Sequence, residues 1–298
     1  MRNTTLFALT LLALMEVFAA AQNLVVDVNL TMLDVFVEDE KGSPVIDLTA
    51  EDFEVIESGR IRPVKHLSLE YDAVDLGLVV DRSSSIEVVK KHLDNAVMQL
   101  LDKTGDDDRL FLMTFAGKNN LDMPWTTARE KIIQAITKAK IGYGTRLYDV
   151  VVKAIQYVSR GTGERKVLVL LTDGADHYSN HTFEQVVNSA VFNGIPVYVI
   201  AYAGEDSATA FDRGWAEVQG RLTELAKVTE GKAFFPSAGA DCSRIAGQIA
   251  QRAHYRYRLG FYSSEPKVDL QNLHVRLRNG GSQRVSIRGT RPASFISE

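Results

Sequence analysis

The sequence predicts an α/β protein: a doubly wound, mainly parallel sheet inserted in a small all-β domain. Three observations predict it. In the middle of the chain, short apolar runs at 76–80, 110–115, 167–171 and 196–200 alternate with stretches of helical periodicity, the pattern of a parallel sheet covered on both faces. Before residue 73 and after residue 254 the apolar residues recur at every second position instead, as in half-buried strands. Neither flank has enough strands to bury a core alone, so 22–72 and 254–298 are expected to pair with each other around an inserted domain at 73–253.

The first 21 residues read as an export signal. Arg2 supplies the positive end, 6–20 is mostly apolar, and Ala19-Ala20-Ala21 offers small residues for cleavage before Gln22. The run is shorter than the roughly 20 apolar residues of a membrane span and is interrupted by Thr10 and Glu16. The expectation is a secreted or periplasmic protein with no membrane span after signal removal; retention of the segment as an anchor is the alternative. In 22–72, Val26, Val28, Leu30 and Met32 alternate with polar residues, and Leu33, Val35 and Val37 then take the opposite phase. A phase change inside a strand predicts a bulge or a two-faced strand. Glu40-Lys41-Gly42-Ser43-Pro44 is a turn. Thr49 to Asp52 reads as one capped helical turn before a strand at 53–56, and Ser58-Gly59 turns the chain into another strand ending near Leu69.

The inserted domain opens on the buried-type strand at 76–80. A helix is predicted from Ile86, with Val89, Leu93, Ala96, Val97, Leu100 and Leu101 on one stripe. After the strand at 110–115, Ile132, Ile133 and Ile136 mark one helix and Leu147, Val150, Val151, Ala154 and Val158 another. The strand at 167–171 is followed by a helix that starts in the capping box Thr182 to Gln185 and stops at Gly194. A strand at 196–200 and two helices near 215–229 and 241–253 complete the domain, with a short strand at 233–235 between the helices. Beyond it, Tyr255, Tyr257, Leu259 and Phe261 face one way, and Arg256 and Arg258 the other. Leu273, Val275 and Leu277 alternate again, Asn279-Gly280-Gly281 signals a hairpin, and Val285 and Ile287 resume the alternation.

A formal net charge of −4 gives no basic footprint, so nucleic acid is not an expected partner. Cys242 is the only cysteine; no intramolecular disulfide can form, and a small buried residue is the expectation.

Three separated segments carry the chemistry. Asp81-Arg82-Ser83-Ser84-Ser85 follows the first central strand, Gly142-Tyr143-Gly144-Thr145 precedes a helix, and Thr172-Asp173-Gly174 follows the strand at 167–171. All three are placed at the C-terminal edge of a parallel sheet, where open α/β sheets bind ligands. Two carboxylates and three hydroxyls converging there suit a hard divalent cation. Mg²⁺ in particular binds through few carboxylates and keeps open positions. Ser84 or Ser85 capping a helix at Ile86 explains the first segment without the other two. Arg82, beside the expected ion, is expected to point outward. His177 and His181 lack the glutamate after the first histidine that a helical zinc motif needs, and are expected in a solvated loop. Asp106-Asp107-Asp108 is expected to be a turn before the strand at Leu110.

Asp81-x-Ser83-x-Ser85, Thr145 in a glycine-flanked loop and Asp173 in Thr-Asp-Gly resemble the metal-ion-dependent adhesion site of von Willebrand factor A domains, and the resemblance covers about 73–253. The flanking segments Leu48-Thr49-Ala50-Glu51-Asp52-Phe53-Glu54-Val55 and Tyr257-Arg258-Leu259-Gly260-Phe261-Tyr262 resemble the secreted bacterial VWFA-related proteins. The resemblance implies that Ser83, Ser85 and Thr145 coordinate Mg²⁺ (or Mn²⁺ or Ca²⁺) and that Asp81 and Asp173 bind it directly or through water. An Asp or Glu of a partner protein then completes the shell. It also implies a non-enzymatic, adhesion-type protein-binding module, in which ligation can be coupled to a shift of the last helix. Two other readings compete: a structural envelope protein, and a hydrolase in which Asp173 or His177 activates metal-bound water.

Overall fold

A computed structural model describes residues 29–203, 213–265 and 269–292. The expected export signal at 1–21 and the alternation at Val26 and Val28 lie outside the described residues. The chain enters on β1 (Asn29–Glu38) and passes a single 3-10 turn at Ala50–Asp52. The Thr49 N–H and hydroxyl both donate to the Asp52 carboxylate there, at 2.7 and 2.8 Å. Then come β2 (Phe53–Glu57), β3 (Arg60–Arg62) and β4 (Val64–Tyr71).

All eight residues of β5 (Val74–Asp81) are buried, because the strand lies between two parallel neighbours with helices over both faces. The strands that follow are β6 (Arg109–Phe115), β7 (Asn119–Thr126), β8 (Arg165–Thr172), β9 (Val197–Ala201) and β10 (Lys232–Phe234). They join β5 in one sheet, ordered β10-β9-β8-β5-β6-β7, parallel except for β7. The helices are α1 (Lys90–Asp102), α2 (Arg129–Lys138), α3 (Leu147–Ser159), α4 (Phe183–Asn193), α5 (Arg213–Val228) and α6 (Gly239–His254). Because side chains alternate along a strand, Leu76, Leu78 and Val80 meet Leu93, Val97 and Ile249 on one face. Val79, Phe111 and Leu170 meet Val150, Val151 and Ala190 on the other.

Two details depart from the sequence reading. The strand β7 was not foreseen: it is a half-exposed, antiparallel edge strand, so few of its positions needed to be apolar, and Pro124 is tolerated at an edge. The helix expected from Ile86 begins instead at Lys90, after a 3-10 turn at Ser84–Ile86. Ser83 stands at the head of that turn and makes no side-chain capping bond. By contrast, α4 keeps its capping box, with Thr182 N–H donating to Gln185 Oε1 at 2.9 Å, and ends at left-handed Gly194.

The last strands are β11 (Tyr255–Ser263), β12 (Leu273–Leu277) and β13 (Arg284–Pro292). An antiparallel sheet runs β13-β1-β11-β4, and β12-β2-β3 forms a separate one. Pairing of β1 with β13 slips between Asp34 and Val35, close to where the alternation changes phase. Leu33, Val35, Phe53, Val55, Tyr257, Leu259 and Phe261 share one core between these sheets. Asn279-Gly280-Gly281 is a turn but not a hairpin: β12 pairs with β2, and β13 with β1. The chain changes layer there so that Leu273 and Ile287 both reach the shared core.

At the foot of α6 the layers are joined by polar contacts. His254 is fully buried, with Nδ1 2.6 Å from the Ala250 carbonyl and Nε2 2.6 Å from Asp108 Oδ2. Burial alone would raise the Asp108 pKa. The His254 bond and charge, with the amides of Val74 and Gly105, outweigh it and hold the carboxyl below its ordinary range. Arg256 meets Asp34 at 2.8 Å, and Glu38 pairs with both Arg252 and Lys232.

Candidate metal centre

Asp81 is the last residue of β5 and Asp173 follows β8 directly. These strands are parallel neighbours with Val80 opposite Leu171, so Asp81 lies level with Thr172 and Asp173 comes one residue further along the same sheet edge. The second segment is held against the first by the Gly142 N–H, which donates to the Arg82 carbonyl at 2.8 Å. It is held to the third by the Thr145 carbonyl, which accepts from the His177 and Tyr178 amides, each at 3.1 Å. Left-handed Gly144 lets the loop turn where a methyl group would come within 3.1 Å of the Tyr178 ring. Gly174, also left-handed, lets α5 approach: a methyl group there would lie 2.2 Å from Val218 Cγ1.

Within this edge, Asp81 Oδ1 accepts the Ser83 N–H at 2.8 Å and Oδ2 accepts the Thr172 hydroxyl at 2.7 Å. The Ser83 and Ser85 hydroxyl oxygens are 3.0 Å apart. Asp173 Oδ1 accepts the Ala175 N–H at 3.1 Å. Asp81, Ser83 and Thr145 are buried, Asp173 is half-buried and Ser85 is exposed, so the group opens to solvent on one side.

Asp81 has no exposed surface. Burial, and then the charge of Asp173, push its carboxyl up to about 6, although bonds from Ser83 and Thr172 offset part of the rise. Buried charges are ordinarily paired or bound to a metal, and a cation between the two aspartates would relieve both causes. The donors are all hard oxygens, which fits Mg²⁺, Mn²⁺ or Ca²⁺. No cluster of three or more His, Cys, Asp or Glu that could hold a metal occurs among the described residues, so a cation here would depend on the hydroxyls as well.

Arg82 does not point outward. It is 1% exposed, its Nη1 donates to the Asp81 carbonyl at 3.0 Å, and its Nη2 pairs with Asp94 of α1. The counter-charge on α1 draws the side chain inward, away from solvent. His181 lies in a loop and bonds Asp149 of α3 at 2.7 Å. Sequence reasoning named Thr172 in its segment without giving it a role, and did not single out Asp94 or Asp149. Only Thr172 carried a signal, through its place beside Asp173; the other two are ordinary helix-surface aspartates until the loops fold onto them. Cys242 is buried, and burial raises its thiol to about 11.

The profile of the von Willebrand factor type A domain matches residues 75–246. Among solved structures, the chain is similar to a von Willebrand factor type A protein from Catenulispora acidiphila, with a TM-score of 0.54 and 12% identity over 87% of this chain and 72% of that one. It is also similar to an aerotolerance-related membrane protein from Bacteroides fragilis, with a TM-score of 0.48 and 18% identity over 60% and 100% of the two chains. A third similar structure is the vWF domain of the type V pili tip protein Mfa5 from Porphyromonas gingivalis, with a TM-score of 0.45 and 13% identity over 61% and 97%. At 12% identity the first of these likenesses concerns the fold alone. A comparison with curated proteins finds no match. The matched segment spans more than half of the chain and contains all five predicted ligands; this protein belongs to the von Willebrand factor type A domain family.

Proposed function

We propose that this protein is a metal-dependent protein-binding module of adhesion type that acts outside the cytoplasm. Ser83, Ser85 and Thr145 would hold Mg²⁺ (or Mn²⁺ or Ca²⁺), with Asp81 and Asp173 bound directly or through water, and an Asp or Glu of a partner protein would complete the shell. The observation that carries this reading is the buried Asp81 carboxylate, raised by burial and by Asp173, among hydroxyl oxygens at an edge that opens to solvent. Hydroxyl donors are neutral, and two aspartates balance the ion's two charges without excess, so a bound cation stays receptive to another carboxylate. Membership of a family of protein-interaction modules supports the same reading.

The protein is read as non-enzymatic. His177, the histidine of the hydrolase reading, is exposed with its ring edge-on to Tyr178, and no carboxylate orients it among the described residues, which argues against a general base serving metal-bound water. Action outside the cytoplasm rests on Arg2, the apolar run at 6–20 and Ala19-Ala20-Ala21 at its end. No helix among the described residues is long and apolar enough to cross a membrane.

The test is calorimetry with Mg²⁺ and Mn²⁺ on wild type and Asp81→Ala. Saturable binding by wild type, lost in a variant whose circular dichroism is unchanged, is expected. Absence of binding by wild type, or equal binding by the variant, would overturn the metal assignment and leave a structural role.

A further inference from the structure

We infer that Val88, Tyr143 and Tyr178 form an apolar rim around the candidate centre, and that the rim selects a partner segment whose acidic residue is flanked by bulky apolar side chains. The inference rests on the proposed metal-dependent binding and names the chemistry of its partner. Among the described residues, the four most exposed large hydrophobics are Tyr143 at 90%, Phe192 at 89%, Val88 at 88% and Tyr178 at 61%. Three of these four lie on or just beyond the three segments that carry the predicted ligands: Val88 shortly after Ser85, Tyr143 just before Thr145, and Tyr178 shortly after Asp173.

The backbone beneath the rim is pinned although the side chains are in solvent. Gly142, next to Tyr143, donates its N–H to the Arg82 carbonyl at 2.8 Å. The turn at 116–118 abuts Tyr143 so closely that a methyl group on Gly117 would lie 2.5 Å from the Tyr143 carbonyl oxygen. The Tyr178 N–H donates to the Thr145 carbonyl at 3.1 Å, and its ring lies against Gly144. Tyrosines on fixed backbone are low-entropy anchors of the kind that dominate protein interfaces. Folding gains little from exposing them. Their neighbours decide the partner's chemistry. A cation at the centre calls for one carboxylate, exposed Lys118 on the adjoining turn favours acidic character, and the rim calls for apolar side chains on either side of it.

The probe is an array of synthetic peptides with a central Asp or Glu, flanked either by Leu, Phe and Trp or by Gly and Ser. It is read with the full chain in Mg²⁺ and in EDTA. Wild type should retain the apolar-flanked acidic peptides in Mg²⁺ only. Tyr143→Ser and Tyr178→Ser should each weaken that retention about tenfold while calorimetric Mg²⁺ affinity is unchanged. Phe192→Ser, at the opposite end of α4, serves as the control for general stickiness and should change nothing. With Mg²⁺ bound, four results overturn the rim: equal retention of Gly/Ser-flanked peptides, retention of no acidic peptide, unchanged binding by the tyrosine variants, or equal loss in Phe192→Ser. Absence of Mg²⁺ binding, or equal retention in EDTA, overturns the metal-dependent reading itself, so the two failures are told apart.

Discussion

Replacing Asp81 with asparagine should stabilise the metal-free protein at neutral pH and destabilise it in acid. The Asp81 carboxyl is raised from an ordinary 3.8 to about 6, by burial first and the Asp173 charge second. At about 1.4 kcal/mol per pKa unit, keeping it ionised in the folded state costs about 3 kcal/mol. The unfolded chain titrates near 3.8 and the folded one near 6, so the folded state holds the extra proton between those values. Without metal, stability is unaffected below about pH 4, falls as pH rises to about 6, and stays lower above it. In Asp81→Asn the amide oxygen can still accept the Ser83 N–H. The Thr172 hydroxyl loses its acceptor, at about 1 kcal/mol. In EDTA the variant should therefore be about 2 kcal/mol more stable than wild type at pH 8 and about 1 kcal/mol less stable at pH 4. Urea unfolding followed by the fluorescence of Trp125 and Trp215 reads both. Mg²⁺ at a hundred times its Kd should add about 2.7 kcal/mol to wild type alone. A variant less stable than wild type at both pH values would refute the claim that the Asp81 charge is poorly compensated by protein groups.

Three further outcomes concern residues that are not themselves candidate ligands. Asp108→Asn should cost about 3–5 kcal/mol at pH 7 by leaving buried His254 without its charged partner. Because the Asp108 pKa is lowered, the wild-type advantage should be present above about pH 4 and be lost as pH falls through the folded value, as urea midpoints from pH 7 down to pH 2 would show. Gly174→Ala should cost about 2–4 kcal/mol, from overpacking against Val218 and a left-handed backbone; adding Val218→Ala should recover the packing share in the same unfolding assay. Arg82→Leu should cost about 3 kcal/mol, the low end for a broken buried pair, since Lys90 still neutralises Asp94; a midpoint equal to wild type would show that the Arg82 anchor contributes nothing.

By itself the sequence determined the α/β class and the strands and helices whose apolar period is strong, and it nominated Asp81, Ser83, Ser85, Thr145 and Asp173 as oxygen donors. These are local properties. A strand buried on both faces is apolar over most of its length, as β5 is at Leu76, Leu78, Val79 and Val80, and a capping box such as Thr182 to Gln185 is completed within four residues. The half-exposed edge strand β7 escaped because one exposed side relaxes its period. The start of α1 moved to Lys90 because the 84–86 segment is held as a tighter turn. The tertiary structure alone decided how the second segment is tied to the first and third, through the Arg82 and Thr145 carbonyls. It likewise decided that Arg82 turns inward to Asp94, that β12 and β13 join different sheets, and that Asp108 meets His254. Each of these contacts pairs groups far apart in the chain, and the energy of a charge or a carbonyl depends on what the fold brings to it. Periodicity carries no record of that.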